Sequence, residues 1–103
     1  MRLSPWQAAI IRQAARATFG PDARVWLFGS RVNDGMRGGD YDFYLETSLA
    51  DPDAIIARKL ALLATLHANS VFADEKIDVV IRPNIPGPEL PIYHVAKREG
   101  LPL

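Results

Sequence analysis

The sequence contains no cysteine. Disulfides and thiolate metal sites are therefore excluded, and cysteine usage puts no constraint on the redox compartment. A charge surplus is also missing: 12 basic and 12 acidic residues give a formal net charge of zero. Chains that live on nucleic-acid backbones carry a basic excess or a basic stripe, so stable nucleic-acid binding by this chain alone is not expected. A single nucleotide remains possible, because a metal ion and a few local donors suffice to hold a triphosphate. Long hydrophobic runs are absent too. The first segment, "MRLSPWQAAIIRQAARATFG", is interrupted by Arg12 and Arg16, too polar for a signal-peptide core or a membrane span. It reads as a first helix rather than a mitochondrial presequence, and the expectation is a cytoplasmic protein without membrane contact. Repeats and low-complexity tracts are likewise missing.

What is present is a moderate apolar fraction, 49% of 103 residues. That supports one core and one domain, residues 1–103. Ser4-Pro5 reads as an N-cap followed by proline at the first helical position. Ile10, Ile11, Ala14, Ala15 and Phe19 then recur at helical spacing until Gly20-Pro21. "RVWLF", Arg24 to Phe28, is a short aromatic and β-branched run that predicts a strand. Gly29 to Gly39 reads as a glycine-rich loop. "DYDFYLE", Asp40 to Glu46, alternates: Asp40, Asp42, Tyr44 and Glu46 point one way, Tyr41, Phe43 and Leu45 the other. That pattern predicts a strand with one apolar face for the core and one polar face left open.

Asp51-Pro52 marks a second helix start, with the helix running to about Asn69. Its stripe is Ile56, Leu60, Leu63 and His67, reinforced by Ile55, Leu62 and Leu66, and His67 is expected to be a half-buried packing residue. "KIDVVI", Lys76 to Ile81, predicts a third strand. "RPNIPGPELP" is a proline-rich connector, and a short terminal helix is expected over Pro91 to Arg98, ended by Gly100. Trp6 and Trp26 read as core or interface anchors. The order α-β-β-α-β-α gives an α+β (mixed α/β) unit, with the helices covering one face of a small sheet.

The chemistry is concentrated in the carboxylates. Asp40 and Asp42, at i and i+2 on a strand, project from the same face. Carboxylates are poor strand formers and costly to bury, and two side by side repel unless a positive charge lies between them. A divalent cation meets that need, since Mg²⁺ takes oxygen ligands from one or two carboxylates plus substrate phosphates. Asp78 interrupts the apolar "KIDVVI" in the same costly way. If its strand lies beside the first two, three carboxylates can hold two metal ions at a phosphoryl- or nucleotidyl-transfer site. Gly29 and Ser30 would supply a backbone and a hydroxyl donor to phosphate, and Arg31 charge-assisted bonds to a triphosphate. The plain alternatives are a solvated turn-to-strand junction for Asp40 and Asp42, an edge-strand aspartate facing water for Asp78, an ordinary turn serine for Ser30, and solvated side chains for Arg31 and Arg37, the reading that sequence alone favours for these two arginines. Glu46 is taken as a surface carboxylate.

"GSRVNDGMRGGDYDFYLE" followed by the isolated aspartate of "KIDVVI" resembles the DNA polymerase β nucleotidyltransferase superfamily. Its signature is Gly-Ser, about ten residues, Asp-x-Asp on a strand, and a third Asp on a later strand. By size the chain is most similar to the minimal nucleotidyltransferase domains of antitoxin type, and the resemblance extends from "VWLF" to the terminal "IYHVAKREGLPL". It implies Mg²⁺-dependent transfer of a nucleoside monophosphate from ATP or another NTP to an acceptor hydroxyl, with release of pyrophosphate. Gly29 and Ser30 match the phosphate-binding pair, Asp40 and Asp42 the paired metal ligands, and Asp78 the third carboxylate, which also serves as base. Many minimal nucleotidyltransferases neutralise a helical HEPN-type ribonuclease toxin, and those characterised attach AMP to one of its tyrosines.

The chain departs from the family's pattern at Tyr41, Phe43 and Tyr44, where aliphatic residues are usual. Tyr44 lies on the polar face and is expected to fill space rather than stack on a base. Larger relatives carry a further domain for the acceptor, so here the acceptor is expected to be presented by a partner in a hetero-oligomer. The competing functional class is a binding module that keeps the fold without the catalysis and neutralises or scaffolds its partner by contact alone.

Overall fold

The computed structural model describes residues 3–29, 41–70, 72, 75–84 and 89–103. Its elements follow in the order α1 (Pro5–Phe19), β1 (Arg24–Phe28), β2 (Tyr41–Glu46), α2 (Pro52–Ala68), β3 (Ile77–Arg82), α3 (Pro91–Glu99) and β4 (Leu101–Pro102). The fold is mixed α+β, as the sequence pattern predicts. Each boundary agrees with that pattern to within a residue or two, and the short β4 is an addition.

Local chemistry accounts for the helix starts. Ser4 Oγ accepts from Gln7 N at 3.1 Å while Gln7 Oε1 accepts from Ser4 N at 2.8 Å. This reciprocal box satisfies two of the backbone donors that a helix start leaves without intrahelical partners. At α2 the Asp51 carboxylate accepts from Asp53 N at 3.2 Å, ahead of Pro52 in the first turn.

The four strands form one sheet in the order β3-β2-β1-β4. β1 pairs antiparallel with β2 and with β4, while β2 and β3 run parallel, joined by α2 as a parallel pair requires. Alternation then sorts the side chains. Val25, Leu27, Tyr41, Phe43, Leu45 and Val79 enter the main core with Ile11, Ala15, Phe19, Leu62, Leu66 and Phe72. Burying a leucine such as Leu62 or Leu66 contributes about 1.5–3 kcal/mol.

Two expectations need correction here. The second face of the sheet is not left open, and the helices do not all share one face. Trp26, Tyr44 and Ala96 form a separate buried cluster, with Phe28, Val80 and Tyr93 packed against it. α3 therefore covers the face opposite α1 and α2. Gly100 makes the return from α3 possible: a Cβ there would meet Leu27 O at 3.0 Å and Trp26 Cβ at 3.3 Å, so only a glycine lets β4 start this close to β1.

The α2 stripe also lies differently. Leu62 and Leu66 are buried, but Ile56 and Leu60 are 60% and 63% exposed. His67 is exposed rather than half-buried, its Nε2 3.0 Å from Glu75 O. Trp26 is a core anchor; Trp6, 69% exposed, is not. α2 carries apolar residues around more of its circumference than one sheet can cover, so its periodicity alone did not select the buried side.

Candidate functional site

The register that places the core also places the carboxylates. In the parallel β2–β3 pair, Phe43 stands beside Val79 and Leu45 beside Ile81, and all four pack toward α1 and α2. A one-residue slip would turn each of them away from the core, so this register is strongly specified. Asp42 then falls beside Asp78, and the alternation directs both to the α3 face, at the N-terminal ends of their strands. Neighbouring strands lie about 4.8 Å apart, which sets the scale of the carboxylate separation. Asp42 is half-buried; Asp78, on the edge strand β3, is exposed.

Gly29 completes this end of the sheet. It follows Phe28, which pairs with Asp42 across the antiparallel β1–β2 ladder. Its φ is +79°, in the left-handed region that favours glycine. A Cβ at Gly29 would collide with Asp42 Oδ2 and come within 3.2 Å of Asp42 Cγ. Steric space and backbone conformation thus both select glycine, and the Gly29 main chain lies directly against the Asp42 carboxylate.

Of the six residues singled out from the sequence, the structure brings together Gly29, Asp42 and Asp78. Ser30, Arg31 and Asp40 lie outside the described residues, as does the glycine-rich span beyond Gly29. Among the described residues, no group of three or more His, Asp or Glu side chains is placed to hold a metal ion. The pair that is described, two hard oxygen donors of like charge at adjacent register positions, has the donor chemistry that Mg²⁺ takes.

Sequence reasoning missed a second polar cluster on the same face, at the opposite end of the strands. Glu46, expected to be a simple surface carboxylate, accepts from Tyr44 Oη at 2.7 Å and from Lys97 Nζ at 3.2 Å, with Arg82 3.5 Å away. Burial pushes the Glu46 pKa up, but the bonds from Tyr44 and Lys97 and the nearby Lys97 and Arg82 charges outweigh it. Its pKa is lowered from the ordinary 4.5. The Tyr44 phenol is pushed up, first by burial and then by its bond to Glu46. Tyr44 is fully buried between Trp26 and Tyr93, ring centroids 5.3 and 5.9 Å away. It fills space, as expected. Arg82 also pairs with Glu89, and its guanidinium lies 5.9 Å from the Tyr93 ring centre. The alternation of "DYDFYLE" signalled the face that Tyr44 and Glu46 share. It could not signal α3, which supplies Tyr93 and Lys97 from fifty residues further along the chain.

No family model matches this sequence, and no curated protein matches it significantly.

Proposed function

We propose that the chain is a Mg²⁺-dependent nucleotidyltransferase that moves AMP from ATP to an acceptor hydroxyl, a tyrosine on a HEPN-type helical toxin, and so acts as an antitoxin. The observation that carries the reading is the in-register placement of Asp42 beside Asp78 with the Gly29 main chain against Asp42. Core packing would be served equally well by neutral residues at both positions, whereas a metal–triphosphate site needs paired oxygen donors and a close backbone approach. The Gly-Ser, Asp-x-Asp and later Asp resemblance supplies the reaction class, the nucleotide and the partner.

In this reading Asp42 and Asp78 would hold the metal together with Asp40, and Gly29 with Ser30 would receive phosphate oxygens. Arg31 would add charge-assisted bonds to the triphosphate. Bound Mg²⁺ supplies charge neutralisation at the reacting phosphate. Asp78, exposed on the edge strand, is reachable by a hydroxyl from outside and would take its proton. The hydroxyl oxygen then bonds to the α-phosphorus, the bond to the bridging oxygen breaks, and pyrophosphate leaves.

A second reading is favoured by the exposed Trp6, Ile56 and Leu60, apolar surface that a binding module would use in direct contact with a partner. Titration calorimetry of Mg·ATP into the protein, alone and with its partner, separates the two. The enzyme reading expects ATP binding that is lost in Asp42→Asn, and a mass increase of one AMP on the co-expressed partner. No binding in either setting, with Asp42→Asn cells behaving like wild type, would leave only the contact module.

A further inference from the structure

The two flanks of α3 look toward different ends of the sheet. Tyr93 and Lys97 occupy one flank, against Arg82 and Glu46 at the C-terminal ends of β3 and β2. With Ala96 buried against the sheet, the helical repeat sets Ile92, Val95 and Glu99 on the other flank. That flank therefore faces along the sheet toward the row formed by Phe28, Asp42 and Asp78.

Between this flank and the carboxylates the floor is apolar. Phe28 and Val80 are both half-buried and both packed on the Trp26–Tyr44–Ala96 cluster. Phe28 stands opposite Asp42, an arrangement that sets Cβ atoms about 4.5–5.5 Å apart. Val80 follows Asp78 two residues on, on the same face. Val95 is half-buried and Ile92 is 38% exposed. Partly exposed apolar residues thus lie beside the carboxylates and along this flank of α3, the lining of a candidate trough.

We propose that this trough receives the nucleobase of the triphosphate, with Phe28 as the stacking surface and Val95 as the facing wall. The inference rests on the nucleotidyl-transfer reading and names where substrate selection occurs within it. Among the described residues, the apolar floor is the surface along the sheet that a nucleoside could cover when its phosphates are held at Gly29 and the carboxylates. Covering it buries a flat, weakly polar ring. Tyr44, the aromatic that its place in the sequence offers for stacking, is fully buried with its hydroxyl held by Glu46. Phe28, only partly buried and paired with Asp42 across the ladder, stands nearer the carboxylates.

The test compares Mg·ATP with Mg·tripolyphosphate, which keeps the charge and lacks the nucleoside, by titration calorimetry on the full chain. Stacking and apolar contact are expected to give ATP at least about tenfold tighter binding. Val95→Asn and the milder Phe28→Leu should each reduce that preference severalfold while leaving tripolyphosphate affinity unchanged. Ile56→Asp, on the far side of the molecule, should alter neither. Equal affinities in the wild type, or an ATP preference intact in both variants, would overturn the trough while leaving the metal–phosphate site standing. Binding of neither ligand, to the chain alone or with its partner, would overturn the transfer reading, and the trough with it.

Discussion

The face of the sheet under α3 has two charged ends, and they are built on opposite principles. At the C-terminal ends of β2 and β3 the charges alternate in sign. Glu46 meets Lys97 and Arg82, Arg82 meets Glu89, and Glu89 lies 3.8 Å from His94. A tyrosine hydroxyl completes the set. At the N-terminal ends two carboxylates stand side by side in register, with glycine main chain pressed against one of them. The first arrangement neutralises itself and docks a helix. The second places two carboxylates side by side, an arrangement that a cation bound between them would favour.

The difference can be probed by substitution, and the largest effect expected is on activity. Asp42→Asn or Asp78→Asn should lower the proposed nucleotidyl transfer by at least about 10³-fold, while for the exposed Asp78 the melting temperature should stay level. A clear fall in melting temperature for Asp78→Asn would place Asp78 among the structural charges. At the other end the pattern should invert. Tyr44→Ala removes a fully buried aromatic and should cost about 3–5 kcal/mol in chemical denaturation. Tyr44→Phe keeps the ring but leaves Glu46 without its phenol donor, at about 1–3 kcal/mol. Transfer by the folded fraction of Tyr44→Phe should be little changed.

Gly29→Ala tests the contact that joins main chain to carboxylate. The positive φ costs an L-residue about 1–2 kcal/mol, and the new Cβ must displace the Asp42 carboxylate. Lost transfer should therefore accompany the modest loss of stability. A smaller effect concerns pH. The folded-state pKa of Glu46 is lowered, so its contribution is present above the ordinary value of 4.5 and is lost as pH falls through the lower, folded-state value. Denaturation curves taken downward from pH 5 should show wild type losing stability more steeply than Glu46→Gln. Parallel slopes would show that the cluster does not hold Glu46 in its charged form. The smallest effect is expected on the outer surface of α2, where Ile56→Asp should change stability by no more than about 0.5 kcal/mol.

Much of the fold was legible because its signals are local. Ser4-Pro5 and Asp51-Pro52 start helices through side chains within three residues of the backbone groups they serve. Strand alternation is likewise read residue by residue, and it placed Tyr41 and Phe43 in the core and Asp42 on the other face. The misreadings share one cause. Ile56 and Leu60 looked like core residues because α2 is apolar on more than one side, and only α1 and the sheet decide which side is covered. Glu46 looked like a surface carboxylate because Lys97 approaches it from fifty-one residues away. The second face looked open because nothing in β2 announces α3.

The candidate site divides along the same line. The residue types and their order, glycine followed by paired aspartates and a third aspartate on a later strand, are read from sequence alone. That Asp78 stands beside Asp42 was decided by tertiary structure. The parallel register is set by Phe43, Leu45, Val79 and Ile81 seeking the core beneath α1 and α2, and the carboxylates follow because neighbouring side chains on a strand must point to opposite faces. The close fit of Gly29 to Asp42 is tertiary too, since it requires β1 and β2 to be paired with Phe28 opposite Asp42. Sequence could name the charged groups; burial of the apolar ones determined where the charges meet.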